Sequence, residues 1–377
     1  MRVLHVIDTL GRGGAERQLL QTVRYFHRRG IAQAVLCLFQ AADMATEFRQ
    51  AGAEVLHLGA TQSLPLLPTL LRPAILQARG WRPDIISTHL PSADIIGRSA
   101  AARLSIPAVS TWHSTLYSLD QARHLRPKVR VAARFYRQLD SMTARWGQRF
   151  IAISQTVRDS YTRALGIPIS ACEIVPNSLE LKDITDSFPR ERRYSEPLRL
   201  VHVGRHVADK GVSILLDALS TLPQDLIWRL DLLGTGPLSE SLQGQARRIG
   251  IASRVFFHGS VADVLPIVSH AHILVLPSLR EGQCLAYLEA LAAGTPTIAS
   301  DIPALREVDP AGLSTRFFPA GSASALAEAV AHLAHDEAAL KTMHASARGL
   351  AQPFDLETVG PRRLALLETL AGLGPTC

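Results

Sequence analysis

Lysine is scarce in this 377-residue chain: of 40 basic residues only Lys128, Lys182, Lys210 and Lys341 are lysine, leaving 36 arginines. That skew, beside abundant alanine, reads as codon bias, so the net charge of +7 and the pI near 9.6 do not point to nucleic acid. Charged residues are also few, at 19%, and glycine and proline together occupy only 47 positions (25 and 22), which excludes disordered and fibrous classes. Cysteine is rarer still. Cys37, Cys172, Cys284 and Cys377 are far apart and form no metal-ligand spacing, so they read as reduced packing residues of a cytosolic protein. Long apolar runs are absent. The longest, Leu64 to Leu71, is interrupted by Pro65 and Pro68 and stopped by Arg72, far short of the roughly 20 residues of a membrane helix. Any membrane contact is therefore expected at the surface, as a peripheral association. The opening Met1-Arg2-Val3-Leu4-His5-Val6 reads directly as a strand, so no signal peptide is expected. There is no Asp-x-Asp motif and no internal repeat of 20 to 50 residues.

What is present is apolar residue, 47% of the chain, enough for two cores of ordinary size. Short Val/Ile/Leu runs alternate with helical segments: Val3–Ile7, Ala34–Phe39, Glu54–Leu58, Asp84–Ser87, Ala108–Thr111 and Phe150–Ile153, then Leu198–Val203, Arg229–Leu233, Val255–His258, Ile273–Leu276 and Thr297–Ala299. Continuous apolar runs between helices predict parallel strands covered on both faces, and two such series predict an α/β chain with two Rossmann-like sheets. The expected division is an N-terminal domain over 1–178, a polar linker over 179–197 bracketed by Pro189 and Pro197, and a C-terminal domain over 198–355. A last helix, 356–370, is free to pack back on the N-terminal domain, with Pro361 in or before its first turn. Arg123, Arg126, Lys128, Arg130, Arg134, Arg137, Arg145 and Arg149 crowd a stretch whose only acid is Asp140. Segment 123–149 therefore suits an anionic surface such as a membrane, or equally a solvated helix face.

Three stretches carry chemistry. Gly204-Arg205-His206-Val207-Ala208-Asp209-Lys210-Gly211 follows a strand, where the loops of a parallel sheet meet ligand, and an Arg with a Lys five residues on can clamp a diphosphate. In Pro277-Ser278-Leu279-Arg280-Glu281-Gly282-Gln283-Cys284-Leu285, Glu281 lies in a loop and Glu289 in the helix beyond it. A helix opened by Gly282 would turn its free N–H groups toward a phosphate, and the two carboxylates, roughly 12 Å apart along such an axis, would accept hydroxyl hydrogen bonds from separate partners. Near the N-terminus, Leu10-Gly11-Arg12-Gly13-Gly14-Ala15-Glu16 leaves Gly13 and Gly14 without side chains, so that backbone N–H groups can approach an anion. Glu16 stands where a dinucleotide fingerprint needs glycine, which weakens an oxidoreductase reading.

Gly204-Arg205…Lys210-Gly211, Gly234-Thr235-Gly236-Pro237, Pro277-Ser278, Glu281-x7-Glu289 and Ala293-Gly294-Thr295-Pro296 occur in the order found in family-4 retaining glycosyltransferases. The chain resembles that family through most of its length, most clearly from Leu198 to Glu307. The resemblance implies the GT-B architecture, two Rossmann-like domains whose parallel sheets face an interdomain cleft. It also implies a retaining, metal-independent transfer of a hexosyl or N-acetylhexosaminyl unit from a UDP- or GDP-sugar to a hydroxyl acceptor, in polysaccharide, cell-envelope or glycolipid biosynthesis. The nucleotide sugar would be a cosubstrate, with no cofactor, and the acceptor a glycan or lipid-linked molecule. By the same resemblance His113, Arg205, Lys210 and Glu281 are catalytic, with His113 near the anomeric carbon. Gly13, Gly14, Gly234, Gly236, Gly282, Gln283, Cys284, Leu285 and Glu289 bind substrate. His89 is a weaker candidate of the same kind as His113. Gln283 and Cys284 depart from the family's usual residues beside the donor sugar, as do Ser178 and Ala304 at positions where it has glycine. Alternatives are a nucleotide-sugar epimerase or glycogen-type phosphorylase on the same architecture, and a cationic surface-binding module carried by 123–149. The phosphorylase needs a cofactor-linked lysine deep in the second domain, where after Lys210 only Lys341 remains.

Overall fold

A computed structural model describes residues 1–61, 64–117, 127–147, 149–185 and 197–373. The chain forms two compact units, one of Met1–Ser178 with Leu356–Cys377 and one of Leu179–Asp355.

The first unit is built on seven parallel strands: β1 (Arg2–Ile7), β2 (Ala32–Phe39), β3 (Ala53–Ala60), β4 (Ile85–His89), β5 (Ala108–Trp112), β6 (Arg149–Ala152) and β7 (Cys172–Ile174). They lie in the order β3-β2-β1-β4-β5-β6-β7. Every residue of β4 and β5 is buried, as expected for strands covered on both faces. β1 neighbours both β2 and β4, so the connections change direction between β1 and β4, where the carboxyl ends of the strands open a ligand crevice in folds of this class. Helix Gln155–Leu165 shows how local chemistry sets the covering elements. The Ser154 hydroxyl accepts the Val157 N–H at its start, and Gly166 takes the left-handed conformation at its end.

Helix Leu356–Leu370 also belongs to this unit, its Leu356, Val359 and Leu367 buried with Val3, Phe26 and Val109. Gly360 lies against Tyr25 so closely that a Cβ there would meet the ring. Pro361 is the sixth residue of this helix, in its second turn and not in or before its first. The helix tolerates the lost N–H because its apolar stripe is anchored on both sides of the proline.

The second unit carries six parallel strands, β8 (Leu198–Val203), β9 (Trp228–Leu233), β10 (Val255–Gly259), β11 (Ile273–Leu276), β12 (Thr297–Ser300) and β13 (Thr315–Phe318). Their order is β10-β9-β8-β11-β12-β13, and the reversal falls between β8 and β11. Leu179, Leu181 and Ile184, assigned from sequence to the linker, are buried in this unit with Tyr287 and Leu291. Residues 186–196 lie outside the described residues, as do Arg123, Arg126 and Cys377. Cys37, Cys172 and Cys284 are free thiols. Among the described residues, no helix is long and apolar enough to cross a membrane.

Candidate active site

In the second unit, the loops after β8 and β11 flank the point where strand order reverses, and two ion pairs join them. Lys210, in the tight turn Ala208–Lys210, places its Nζ 2.6 Å from Oε1 of Glu281, and the Ser278 hydroxyl donates to the same oxygen at 2.8 Å. Arg280 pairs with Asp209 at 2.6 Å, while the Leu279 N–H donates to the Asp209 carbonyl at 2.8 Å. Gly211, at φ +65°, lets the loops touch, since a Cβ there would overlap the carbonyl oxygen of Pro277. The side chains of Glu281 and Lys210 are 6% and 24% exposed, so the pair is largely withdrawn from water with its ammonium edge reachable. Burial works to lower the Lys210 pKa, but the Glu281 carboxylate outweighs it and the net shift is upward. Lys210 is a fixed cation. Arg205 is exposed on the same loop, and its guanidinium has no partner among the described residues.

The loop after β9 closes the floor. Gly234, at φ +131°, lies against the carbonyl of Gly204, and Gly236 lies against the backbone of His206. The His206 N–H donates to the Thr235 carbonyl at 3.0 Å and the Leu238 N–H to that of His206 at 3.1 Å. Both glycines thus have a packing reason for being glycine: they bring the Arg205 loop onto its neighbour.

The helix that carries Glu289 runs Leu285–Ala293 and starts three residues later than the expected opening at Gly282. The cause is tertiary. Glu281 is held by Lys210 and Ser278, the chain bends at Gly282, and Cys284 is extended as the residue that precedes the first turn. Gly282 and Cys284 are buried, while Gln283 and Leu285 are half-buried. Burial pushes the Cys284 thiol up to about 12, with the negative charge of Glu281 adding to it and Lys210 opposing. The charge of Glu289, buried in the helix, also reaches this thiol. Lys210, Glu281, Cys284 and Glu289 therefore share one neighbourhood.

In the first unit, His113 stands just beyond β5, half-buried, and its Nε2 lies 3.2 Å from Nδ1 of His89. The Nε2 of His89 is 3.4 Å from Nδ1 of His5 and 3.2 Å from the Ser87 hydroxyl. Burial lowers His113 to about 3 and His5 to about 4, with the positive charge of Arg363 adding to the effect on both. Leu90, directly after His89, has φ +76°, a region that favours glycine, so the turn beside the histidines carries backbone strain. Asp8 beyond β1 accepts the Ala93 N–H at 2.6 Å, and burial raises its carboxyl to about 6. The anion beside Gly13 is the chain's own Glu16, whose carboxylate occupies the space a Cβ would need and accepts from the Thr9 hydroxyl at 2.8 Å. Gly14 opens the helix Gly14–His27. The roles of His5, Asp8, Gln33 and Arg363 were not legible in the sequence, for they depend on β1 lying beside β4 and on the last helix returning to this unit. No group of three or more His, Cys, Asp or Glu residues arranged to hold a metal ion occurs among the described residues.

Residues 12–183 match the family model described as Glycosyltransferase Family 4, and residues 197–336 match that of Glycosyl transferases group 1. A glycogen synthase from Mycobacterium tuberculosis is 29% identical over 288 residues, 74% of this chain and 67% of that protein. A phosphatidyl-myo-inositol mannosyltransferase from Mycobacterium leprae is 27% identical over 381 residues, 96% of this chain and 94% of that protein. Among solved structures, Anabaena Alr3699/HepE in complex with UDP-glucose superposes with a TM-score of 0.82 at 22% identity, covering 98% of this chain and all of that one. WaaG, a glycosyltransferase involved in lipopolysaccharide biosynthesis, gives a TM-score of 0.79 at 16% identity, covering 99% and 100%.

Proposed function

The chain belongs to the group 1, family-4 glycosyltransferases of the GT-B type, and on that premise we propose that it is a retaining, metal-independent enzyme that moves a hexosyl or N-acetylhexosaminyl unit from a UDP- or GDP-sugar to a hydroxyl acceptor. The observation that carries this reading is the Lys210–Glu281 pair across the reversal of the second sheet, with Arg205, unpartnered among the described residues, on the same loop. Arg205 and Lys210 neutralise charge on the departing diphosphate, replacing the divalent ion that some transferases use. Glu281, its carboxylate aimed by Lys210 and Ser278, accepts hydrogen bonds from the sugar hydroxyls. Glu289 holds the ribose, and the backbone and side chains from Gly282 to Leu285 line the sugar. The UDP-glucose held by Alr3699/HepE supports a uridine donor, and the mannosyltransferase relative supports a mannosyl unit beside a glucosyl one.

In the reaction the bond from the anomeric carbon to the phosphate oxygen breaks while the acceptor oxygen bonds to the same face. The acceptor proton passes to the leaving phosphate. Retention then needs no covalent nucleophile, and Glu281, tied into an ion pair, is poorly placed to be one. In this reading His113 serves the transferred sugar and Gly14 the acceptor, while Gly13 is already faced by the Glu16 carboxylate.

A glycan or lipid-linked acceptor at the cytoplasmic membrane face fits the helix Pro127–Ala144. Val131, Phe135 and Met142, with Trp146 just beyond, are about half or more exposed on one stripe, and Arg134, Arg137 and Arg145 are exposed beside it. Its acid Asp140 is buried against Arg98. An apolar stripe edged by arginine is the pattern of a helix lying in an anionic membrane interface.

The test is turnover of UDP-glucose, UDP-galactose, UDP-N-acetylglucosamine and GDP-mannose in the presence of EDTA, followed by proton NMR. The expected result is slow release of nucleotide with an α-sugar as the first product. Release of a β-sugar, or activity abolished by EDTA, overturns retention or metal independence respectively.

A further inference from the structure

The three histidines of the first unit form a directional chain with a fixed far end. Gln33, on β2, places its amide nitrogen 2.9 Å from the Val23 carbonyl. A carbonyl only accepts, so that amide atom must be the NH2 group, which leaves the Gln33 oxygen facing His5 Nε2 at 3.3 Å. An amide oxygen also only accepts, so His5 carries its proton on Nε2 and its Nδ1 is a bare acceptor. The atom opposite that acceptor is Nε2 of His89, at 3.4 Å; a second acceptor there would gain no bond to His5, so we read it as the donor, with the Ser87 hydroxyl at 3.2 Å accepting a share of the same N–H. His89 Nδ1 is then bare and takes the N–H of His113 Nε2 at 3.2 Å. The sequence of donors ends at Nδ1 of His113, which has no partner among the described residues on a ring that is half-buried.

We propose that Gln33, His5 and His89 are positioning residues that lock His113 in the neutral Nε2–H tautomer, so that it offers a lone pair at Nδ1 to a substrate hydroxyl. This rests on the placement of His113 near the transferred sugar and names the group it meets. A ring in this state accepts from an O–H and cannot donate to a phosphate or carboxylate, so His113 faces a sugar or acceptor hydroxyl and not the diphosphate. The surroundings keep the chain neutral. His5 and His89 are almost wholly buried, and the cation of Arg363 reaches all three rings. A proton added to His5 or His89 would turn an acceptor nitrogen into a donor and set two N–H groups against each other, while at His113 burial and the Arg363 cation oppose the charge.

The test is long-range proton–nitrogen NMR of the whole chain labelled with 15N-histidine at pH 7.5, which reads directly which ring nitrogen bears the proton. The His113 signals are those lost in His113→Phe. The expected result is a neutral Nε2–H ring at His113 in the wild type, replaced by a mixture of tautomers in Gln33→Leu. His5→Phe, which removes the middle of the chain without removing Gln33, is expected to give the same mixture and serves if the first variant does not fold. A proton on Nδ1 of His113 in the wild type, a charged ring, or an unaltered His113 in the folded variants would overturn the proposal. Release of UDP from UDP-glucose is measured alongside. Full activity in His113→Phe with the tautomers as expected would remove His113 from the reaction while leaving the ordered chain intact.

Discussion

Lys210 carries two electrostatic loads, and substituting it separates the ion pair's contribution to nucleotide binding from that of a simple cation. With Lys210 in place, the pair with Glu281 presents no net charge to an incoming diphosphate, whereas Lys210→Ala leaves a carboxylate only 6% exposed facing it. At about 6 Å and an effective dielectric constant of about 20, that repulsion is about 3 kcal/mol. The lost charge-assisted hydrogen bond adds about 1.5 to 3 kcal/mol. UDP binding in Lys210→Ala should weaken by about 4 to 6 kcal/mol, a factor of about 10³ or more. Arg205→Ala, which strands no anion, should cost only the hydrogen-bond share, roughly 10- to 150-fold. Adding Glu281→Gln to Lys210→Ala should recover about 3 kcal/mol, because the amide carries no charge. Glu281→Gln alone should bind UDP at least as well as the wild type yet turn over poorly. Isothermal titration calorimetry with UDP decides the order. Equal losses in Lys210→Ala and Arg205→Ala, or no recovery in the double variant, would refute the reasoning.

Other consequences follow from the first unit and its surface. His5 and His113 have folded pKa values of about 4 and about 3, below the ordinary 6.5, so their contribution to stability is complete above pH 6.5 and is lost as pH falls through the folded values. Asp8, raised to about 6, works in the opposite sense, its contribution lost as pH rises through that value. Thermal melting should therefore show His5→Phe losing less stability than the wild type between pH 6.5 and 4, by up to about 3 kcal/mol. Gly360→Ala should destabilise the first unit by about 1 to 3 kcal/mol, despite the better helix propensity of alanine, because its methyl meets the Tyr25 ring. Faster hydrogen exchange across 356–370 is the readout. Phe135→Glu with Trp146→Glu should abolish co-sedimentation with phosphatidylglycerol vesicles while leaving UDP affinity unchanged. Binding that persists would remove the helix Pro127–Ala144 from the membrane.

The sheets were legible because their inner strands are continuous apolar runs, but two edge strands were not. β7 is three residues, Cys172-Glu173-Ile174, with none fully buried, and β13 reads Thr-Arg-Phe-Phe, too polar and short to separate from a loop. In both, the neighbouring strand supplies the order that the local sequence does not. Leu179 to Ile184 sits beside charged residues and reads as linker, yet its three apolar side chains find a core whose position only the fold defines. The start of the Glu289 helix was misplaced because Glu281 is spent on an ion pair with a residue 71 positions away. Motif spacing located Lys210 and Glu281 separately, and the crossing between β8 and β11 brings them together. His5 stands inside a Val-Leu-His-Val run as an ordinary strand residue, and only the adjacency of β1 and β4 reveals what it faces.

Thermal denaturation against UDP-glucose, UDP-galactose, UDP-N-acetylglucosamine and GDP-mannose puts donor binding to the most direct test. A donor present at a hundred times its dissociation constant adds about 2.7 kcal/mol of stability. One of the four should raise the melting temperature of the wild type by several degrees and fail to do so in Lys210→Ala, whereas no shift with any of them, or an equal shift in the variant, would contradict the assignment.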